Sequence, residues 1–200
     1  MLWNSLLALS IASLSTVPPI ISAEKTKGTY IVGSVGTGVM NDIRFAPSLG
    51  GGLAEFDPDF SGEIGIEYDF GNIRTDLTHS QTTTPLKGTS AVDVDVTSYF
   101  LSASYDWRAD KKWQPFIGLG IGASTVDVNL ATSVGGTTIT AGDDDILTAK
   151  VKLGVNYEAS KNVDIYGELW EQGFDDFTIG LIQFTDVTVS GASVGIRVKL

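Results

Sequence analysis

Apolar and polar residues alternate along most of this chain with a period of two. Ile117, Leu119 and Ile121, for example, alternate with three glycines. A period of two is typical of β-strands, in which successive side chains point to opposite faces. From Lys27 onward the pattern predicts eight strands separated by clusters of Gly, Asn, Asp and Thr: 28–40, 60–70, 73–82, 94–106, 113–128, 146–158, 163–172 and 188–200.

The connections between these predicted strands alternate in length. The links at 71–72, 108–112 and 159–161 are short, whereas those at 41–59, 83–93, 129–145 and 173–187 are long and polar or glycine-rich. Each strand has about ten residues or more, which is what a tilted strand needs to cross a bilayer. Long loops at one end and short turns at the other are typical of transmembrane barrels. The sequence therefore predicts an all-β fold, a closed eight-stranded antiparallel up-and-down transmembrane β-barrel over residues 24–200.

The two faces of the predicted strands differ in chemistry. In the last strand Val194, Ile196 and Val198 alternate with small or charged residues such as Arg197. An eight-stranded barrel has an interior only wide enough for side chains to fill, so the aliphatic face is predicted to contact lipid. Buried charges must be paired, and the inner face is predicted to hold a lumen charge network of Glu63, Glu67, Asp69, Arg74, Asp76, Lys150, Lys152, Asp164, Glu168, Arg197 and Lys199.

The sequence also predicts one strand register. If Glu158 closes against Asn162 around the turn at 159–161, Lys152 lies directly opposite Glu168.

Aromatic residues collect at the strand ends next to the short turns. Aromatic belts of this kind mark the interfaces of a membrane with water. The predicted aromatic girdle consists of Tyr30, Phe70, Tyr105, Trp107, Trp113 and Tyr157, and a second girdle near the long loops begins with Phe60, Phe174 and Phe177.

Charge and composition narrow the functional classes. The net charge of −11 argues against a nucleic-acid partner, which needs a basic surface. With no cysteine and one histidine, the chain lacks the residues for a disulfide, a thiolate site or a histidine cluster. The acidic runs in the long loops lack the spacing of a calcium loop, and we expect a solvated surface with neither metal nor cofactor.

The N-terminus predicts export. An apolar run from Leu6 to Val17, then two prolines and Ile21-Ser22-Ala23, is typical of a secretory signal peptide over residues 1–23. The segment before the apolar run lacks the usual Lys or Arg.

Two motifs in the chain bear on enzyme chemistry. Gly118-Leu119-Gly120-Ile121-Gly122 lacks the spacing of a dinucleotide-binding loop. His79 and Ser80 would need to meet within hydrogen-bonding distance for acyl transfer, but neighbours on a strand point to opposite faces. The protein is therefore predicted not to be an enzyme.

Three stretches carry a family resemblance: "FSGEIGIEYDFGN" at 60–72, "WQPFIGLGIG" at 113–122 and the terminal "VGIRVKL". They resemble the small outer-membrane barrels of the opacity-protein and porin-like surface-antigen family, although that family typically ends in an aromatic residue and this chain ends in Leu200. The resemblance implies a monomer in the outer membrane of a Gram-negative-type cell, in contact with lipid and lipopolysaccharide, with a structural or adhesive role.

The long loops, at 41–59, 83–93, 129–145 and 173–187, are then the expected surface for an external protein or cell-surface ligand. Three alternatives remain: a narrow pore for ions or small solutes, a lipid-modifying enzyme, and a secreted soluble ligand-binding barrel.

Overall fold

The computed structural model describes residues 27–44, 53–89, 91–107, 109–131, 138–179 and 182–200. The predicted signal peptide, residues 1–23, lies outside these ranges. Within them, no helix is both long and apolar enough to cross a membrane.

Eight long strands close into one antiparallel barrel, as the sequence predicts. In chain order the strands are β1 (Gly28–Met40), β2 (Ile43–Arg44), β3 (Leu53–Ala54), β4 (Asp59–Asp69), β5 (Ile73–Pro85), β6 (Val92–Asp106), β7 (Trp113–Ala131), β8 (Thr138–Glu158), β9 (Val163–Phe174), β10 (Phe177–Ile179), β11 (Ile182–Phe184) and β12 (Thr188–Lys199). The barrel order is β1-β12-β9-β8-β7-β6-β5-β4, and the short pairs β2–β3 and β10–β11 are separate hairpins. Consecutive barrel strands are neighbours, which is the up-and-down arrangement.

The barrel strands extend further at the long-loop end than the sequence pattern predicts. β7 and β8 have 19 and 21 residues and take up most of the predicted loop 129–145. Strands β5 and β6 likewise take up both ends of the predicted loop 83–93, and the other two loops contain the short hairpins. The prediction failed here because Asp and Thr on the outward face of a strand in water resemble loop residues.

The predicted register between β8 and β9 is wrong by two residues. Glu158 pairs with Asp164, so that Lys152 lies opposite Trp170 and Glu168 lies opposite Gly154. The cause is the turn, in which the backbone N–H groups of both Ala159 and Ser160 donate to the carbonyl of Val163, at 3.0 and 2.9 Å. A shift of two keeps every side chain on its face, so inside and outside are unchanged.

The aliphatic face points outward and the polar face inward. Leu119 on β7 is 63% exposed, whereas Phe116 on the same strand is 2% exposed. Outward-facing aliphatic residues form a continuous band around the barrel below the long-loop end, including Ile66 on β4, Leu77 on β5 and Val151 on β8.

Candidate functional site: the lumen and the long-loop end

An arginine cluster fills the lumen near the short-turn end. It consists of two arginines and four carboxylates: Arg74, Arg197, Glu67, Asp69, Asp106 and Asp164. Arg74 donates from Nε to both oxygens of Asp106, at 3.1 and 2.9 Å, and from Nη1 to Glu67 at 2.7 Å. Hydrogen bonds between ionised partners are the strong ones, so this fork ties β5 to β4 and β6.

Arg197 completes the cluster from β12 and is 0% exposed. Its guanidinium donates to Glu67, Asp69 and Asp164, with Nε 2.9 Å from Glu67 and Nη2 3.2 Å from Asp69. The guanidinium also lies 4.5 Å from the centre of the Tyr30 ring. The arginine on β12 thereby pairs with carboxylates on both β4 and β9 inside the lumen.

Two lysines from β8 form the next layer toward the long-loop end. Lys150 donates to Glu63 at 2.6 Å, and Lys152 lies 3.3 Å from both oxygens of Asp76. The Lys150 ammonium is also held between two aromatic rings, 5.1 Å from Phe100 and 5.0 Å from Trp170. Phe100, Lys150 and Trp170 are all buried, so their side chains occupy the lumen at this level.

The remaining two members of the predicted network are placed differently. Glu168 is 7% exposed and faces the lumen, but Lys152 pairs with Asp76 rather than with it. Lys199 is half-buried at the short-turn rim, opposite Tyr30.

Asp106 belongs to the arginine cluster but is not among the residues of the predicted lumen charge network. It is the last residue of β6 and is fully buried. The alternation identifies it, since the even-numbered residues of β6 all face inward. Because Asp106 stands beside the predicted turn at 108–112, its place in the alternation was not used to assign it to the lumen.

A neutral polar layer lies above the lysines. Ser98 and Ser124 share a hydrogen bond of 2.8 Å, and Gln172 donates to both hydroxyls at 2.9 and 3.1 Å. Thr148 donates to the carbonyl of Gly173 at 2.9 Å.

An apolar cap closes the lumen at the long-loop end. It is a cluster of buried apolar side chains from the barrel strands, the β10–β11 hairpin and the residue before β12: Met40, Val94, Val96, Val126, Ile146, Trp170, Phe177, Ile179, Val187 and Val189. Phe177 stacks on Phe184 with ring centres 5.1 Å apart. From the short-turn end to the long-loop end, the lumen is therefore filled first by ion pairs, then by hydroxyl and amide groups, and last by apolar side chains.

The aromatic girdle lies on the outer surface, with one correction. Tyr105 contacts Trp107 at 5.6 Å and Trp113 contacts Tyr157 at 4.7 Å between ring centres, and Phe70 contacts Tyr68 at 4.5 Å. Tyr30 does not lie with them, because its position on β1 faces inward and its ring is 3% exposed.

The predicted second girdle holds for one residue only. Phe60 points outward and is 53% exposed, but Phe177 is inside the apolar cap and Phe174 packs against it.

His79 and Ser80 lie on opposite faces of β5. His79 contacts Tyr99 on the outer surface, with ring centres 4.8 Å apart, whereas Ser80 is buried in the lumen. The side chains do not form a histidine–serine pair.

The outer surface at the long-loop end is acidic. Asp95 and Asp127 lie directly opposite each other on β6 and β7, and Asp95 accepts hydrogen bonds from Thr83 at 2.6 Å and Asn129 at 2.8 Å. Asp175 and Asp176 are exposed beyond β9. Among the described residues, no three carboxylate or imidazole groups converge to hold a metal ion.

One exposed ion pair links two of the loops. Lys87 donates to Glu55 at 2.8 Å, and this hydrogen bond raises the pKa of Lys87 above its ordinary value.

This architecture defines a class of protein. A closed antiparallel barrel with an aliphatic outer band, a girdle of aromatics beside short turns and a lumen filled by charges is an outer-membrane β-barrel. The model of the opacity family of porin proteins matches residues 66–200. The chain therefore belongs to the opacity family.

Solved structures agree with this fold. Neisserial surface protein A has a TM-score of 0.64 and 21% identity over 86% of this chain and 97% of its own. OprG from Pseudomonas aeruginosa has a TM-score of 0.61 and 17% identity over 86% of this chain and 96% of its own. The outer membrane protein AlkL has a TM-score of 0.54 and 15% identity, covering 94% of this chain and 98% of its own. No curated protein matches the chain in sequence.

Proposed function

We propose that this protein acts at the cell surface as a closed, non-enzymatic barrel that presents an acidic end to a basic partner. The observation that carries the proposal is the difference between lumen and surface. Buried side chains occupy the lumen at the Lys150 layer and again at the apolar cap, which supports a closed barrel. The long strands, in contrast, extend beyond the aliphatic band, and the surface at that end is rich in carboxylates.

The chemistry of that surface favours a basic external protein or cell-surface ligand. Asp57, Asp175 and Asp176 are exposed in the long loops, and Asp59 is exposed at the start of β4. Clustered charge of one sign attracts partners of the opposite sign and accelerates their association. Below this level the protein contacts lipid and lipopolysaccharide as a monomer.

A binding titration tests the surface role. The barrel in uncharged nanodiscs is titrated with polylysine and, in parallel, with polyglutamate. We expect binding of polylysine only, weakened by salt, and at least tenfold weaker in a variant with Asp57, Asp59, Asp175 and Asp176 changed to Asn. The control, Asp110→Asn with Glu158→Gln, removes two charges at the short-turn end. Equal binding by the four-site variant and the wild type would refute the proposal.

The pore alternative is tested separately in planar bilayers. We expect no conductance for the wild type, because the Lys150 layer blocks the lumen. Stable single-channel conductance steps would show that the protein is a narrow pore and would refute the proposal of a closed barrel. The lipid-modifying alternative predicts altered lipid A in mass spectra of expressing cells, and the soluble alternative predicts partition into buffer rather than detergent.

We also propose export through cleavage of residues 1–23, which places the mature N-terminus at Glu24. The mass of the mature protein tests this directly.

A further inference from the structure

The outer surface at the short-turn end carries positive charge, in contrast to the acidic long-loop end. Outside the lumen, the described residues at this end include five lysines and two carboxylates: Lys27, Lys111, Lys112, Lys161 and Lys199 with Asp110 and Glu158. One lysine is neutralised locally, because Lys111 pairs with Asp110 at 2.9 Å. The other four lysines face a single carboxylate, so this end has an excess of cationic side chains.

Three of these lysines follow one another along the rim of the barrel. The backbone N–H of Glu158 donates to the carbonyl of Lys112 at 2.9 Å, which joins the start of β7 to the turn that contains Lys161. The backbone N–H of Lys199 donates to the carbonyl of Asn162 at 2.8 Å, which joins the end of β12 to the same turn. The backbone therefore places Lys112, Lys161 and Lys199 in succession around the barrel.

Lys27 extends this row beyond β12. The backbone N–H of Leu200 donates to the carbonyl of Thr29 at 3.0 Å, so the end of β12 lies beside the start of β1, which Lys27 precedes. The Lys27 side chain reaches the turn between β4 and β5, where its Cε lies 3.6 Å from the position that a Cβ on Gly71 would occupy. These four residues are called the basic arc: Lys112, Lys161, Lys199 and Lys27.

The basic arc lies next to the aromatic girdle. Lys112 directly precedes Trp113, whose side chain is 62% exposed and whose ring centre lies 4.7 Å from that of Tyr157. Girdle aromatics lie at the level of the lipid headgroups, and lysines beside them extend their ammonium groups into the same layer. Among the described residues, Lys27, Lys112 and Lys161 are exposed and form no ion pair within 4 Å. Their charges are thus available to a ligand at headgroup depth.

We infer that the basic arc binds the headgroups of anionic phospholipids in the adjacent leaflet and selects them over zwitterionic lipids. A lysine ammonium is a compact charge with three donors and binds phosphate oxygens. A lysine close to an anionic lipid surface strengthens the attraction about fivefold, whereas a zwitterionic headgroup brings its own ammonium to the phosphate. The inference does not depend on the role proposed for the acidic surface, which lies at the opposite end of the barrel.

Lipid competition tests the inference. The barrel in uncharged detergent is mixed with equal amounts of phosphatidylglycerol and phosphatidylcholine that have identical acyl chains, and native mass spectrometry measures the ratio of the two lipids bound. We expect the wild type to retain at least tenfold more phosphatidylglycerol. Lys112→Gln and Lys161→Gln should each lower the ratio by up to about fivefold, and the double variant should lower it further.

Two control variants locate the effect at the rim. Lys87→Gln removes one positive charge from an exposed lysine at the long-loop end and should leave the lipid ratio unchanged. Glu158→Gln removes a negative charge beside the basic arc and should raise the ratio. Heat-modifiable gel migration verifies that every variant is folded before its bound lipids are compared.

Three results would overturn the inference. One is equal retention of the two lipids by the wild type. Another is a ratio that Lys112→Gln and Lys161→Gln lower no more than Lys87→Gln, which would show an effect of net charge alone. The last is binding of soluble polyglutamate that is lost in Lys112→Gln, which would assign the basic arc to an anionic polymer in place of a lipid.

Discussion

Arg197 holds three carboxylates together in the lumen, so replacing it tests directly whether the arginine cluster stabilises the barrel. Arg197→Met keeps an unbranched side chain of similar reach but removes every donor to Glu67, Asp69 and Asp164. Glu67 would retain Arg74, at 2.7 Å, and Asp69 would retain the backbone N–H of Gly71, also at 2.7 Å.

The expected loss follows from the charges left behind. Removing one partner of a buried ion pair costs about 3–5 kcal/mol, because the remaining charge stays buried without compensation. With a urea slope of about 2 kcal/mol/M, the unfolding midpoint should fall by about 2 M. Tryptophan fluorescence and heat-modifiable gel migration of the detergent-folded barrel would both report it.

Two further variants make this prediction specific. Lys199→Met lies on the same strand and face but is half-buried at the rim, so its midpoint should fall much less. Adding Asp164→Asn to Arg197→Met should recover part of the loss, since the two side chains are in contact and their effects are not additive. If Arg197→Met costs no more than Lys199→Met, the arginine cluster does not stabilise the barrel.

Three other predictions concern packing and loop charges. Gly122→Ala should lower the free energy of unfolding by about 2 kcal/mol or more, because its Cβ would lie 1.9 Å from a carbonyl oxygen of β6. Gly33→Ala is the control, since its Cβ would lie 3.7 Å from the nearest backbone oxygen. Equal urea midpoints for the two alanine variants would contradict this packing. Asp127→Asn should stabilise the barrel by about 0.5 kcal/mol in low salt, because it removes a like charge directly opposite another, and 1 M salt should reduce the gain; a loss of stability would refute the reasoning. The hydrogen bond to Glu55 raises the pKa of Lys87. The ion pair therefore stabilises the loops below that pKa, and this stabilisation is lost as the pH rises through it. An NMR titration in which Glu55→Gln leaves the pKa of Lys87 unchanged would contradict this.

The alternation of residues was sufficient to predict the barrel and its orientation. On most strands one face carries charged, hydroxyl-bearing or small residues with little aliphatic bulk. Since an eight-stranded lumen is filled by side chains, the orientation follows from size and charge alone.

Pairing inside the lumen could not be predicted in the same way. Lys150 and Glu63 are separated by 87 residues and meet across the barrel rather than on adjacent strands. Such contacts depend on strand tilt and stagger. The register of β8 with β9 failed for a related reason, because a shift of two residues leaves the pattern of faces identical.

The apolar cap was missed because its signal is mixed. Val94 and Val96 face the cap while Asp93 and Asp95 face water on the same strand. Without a membrane on the outside, the outward residues become polar, and the strand resembles a loop in sequence.

A nitroxide scan along β8 tests the orientation of the barrel faces most directly. The chain has no cysteine, so single cysteines at positions 147–153 can be labelled one at a time in lipid-reconstituted protein. We expect high oxygen accessibility, typical of lipid contact, at Leu147, Val151 and Leu153, and low accessibility at Thr148, Lys150 and Lys152. Uniform accessibility, or the opposite alternation, would contradict a barrel whose aliphatic face is its outside.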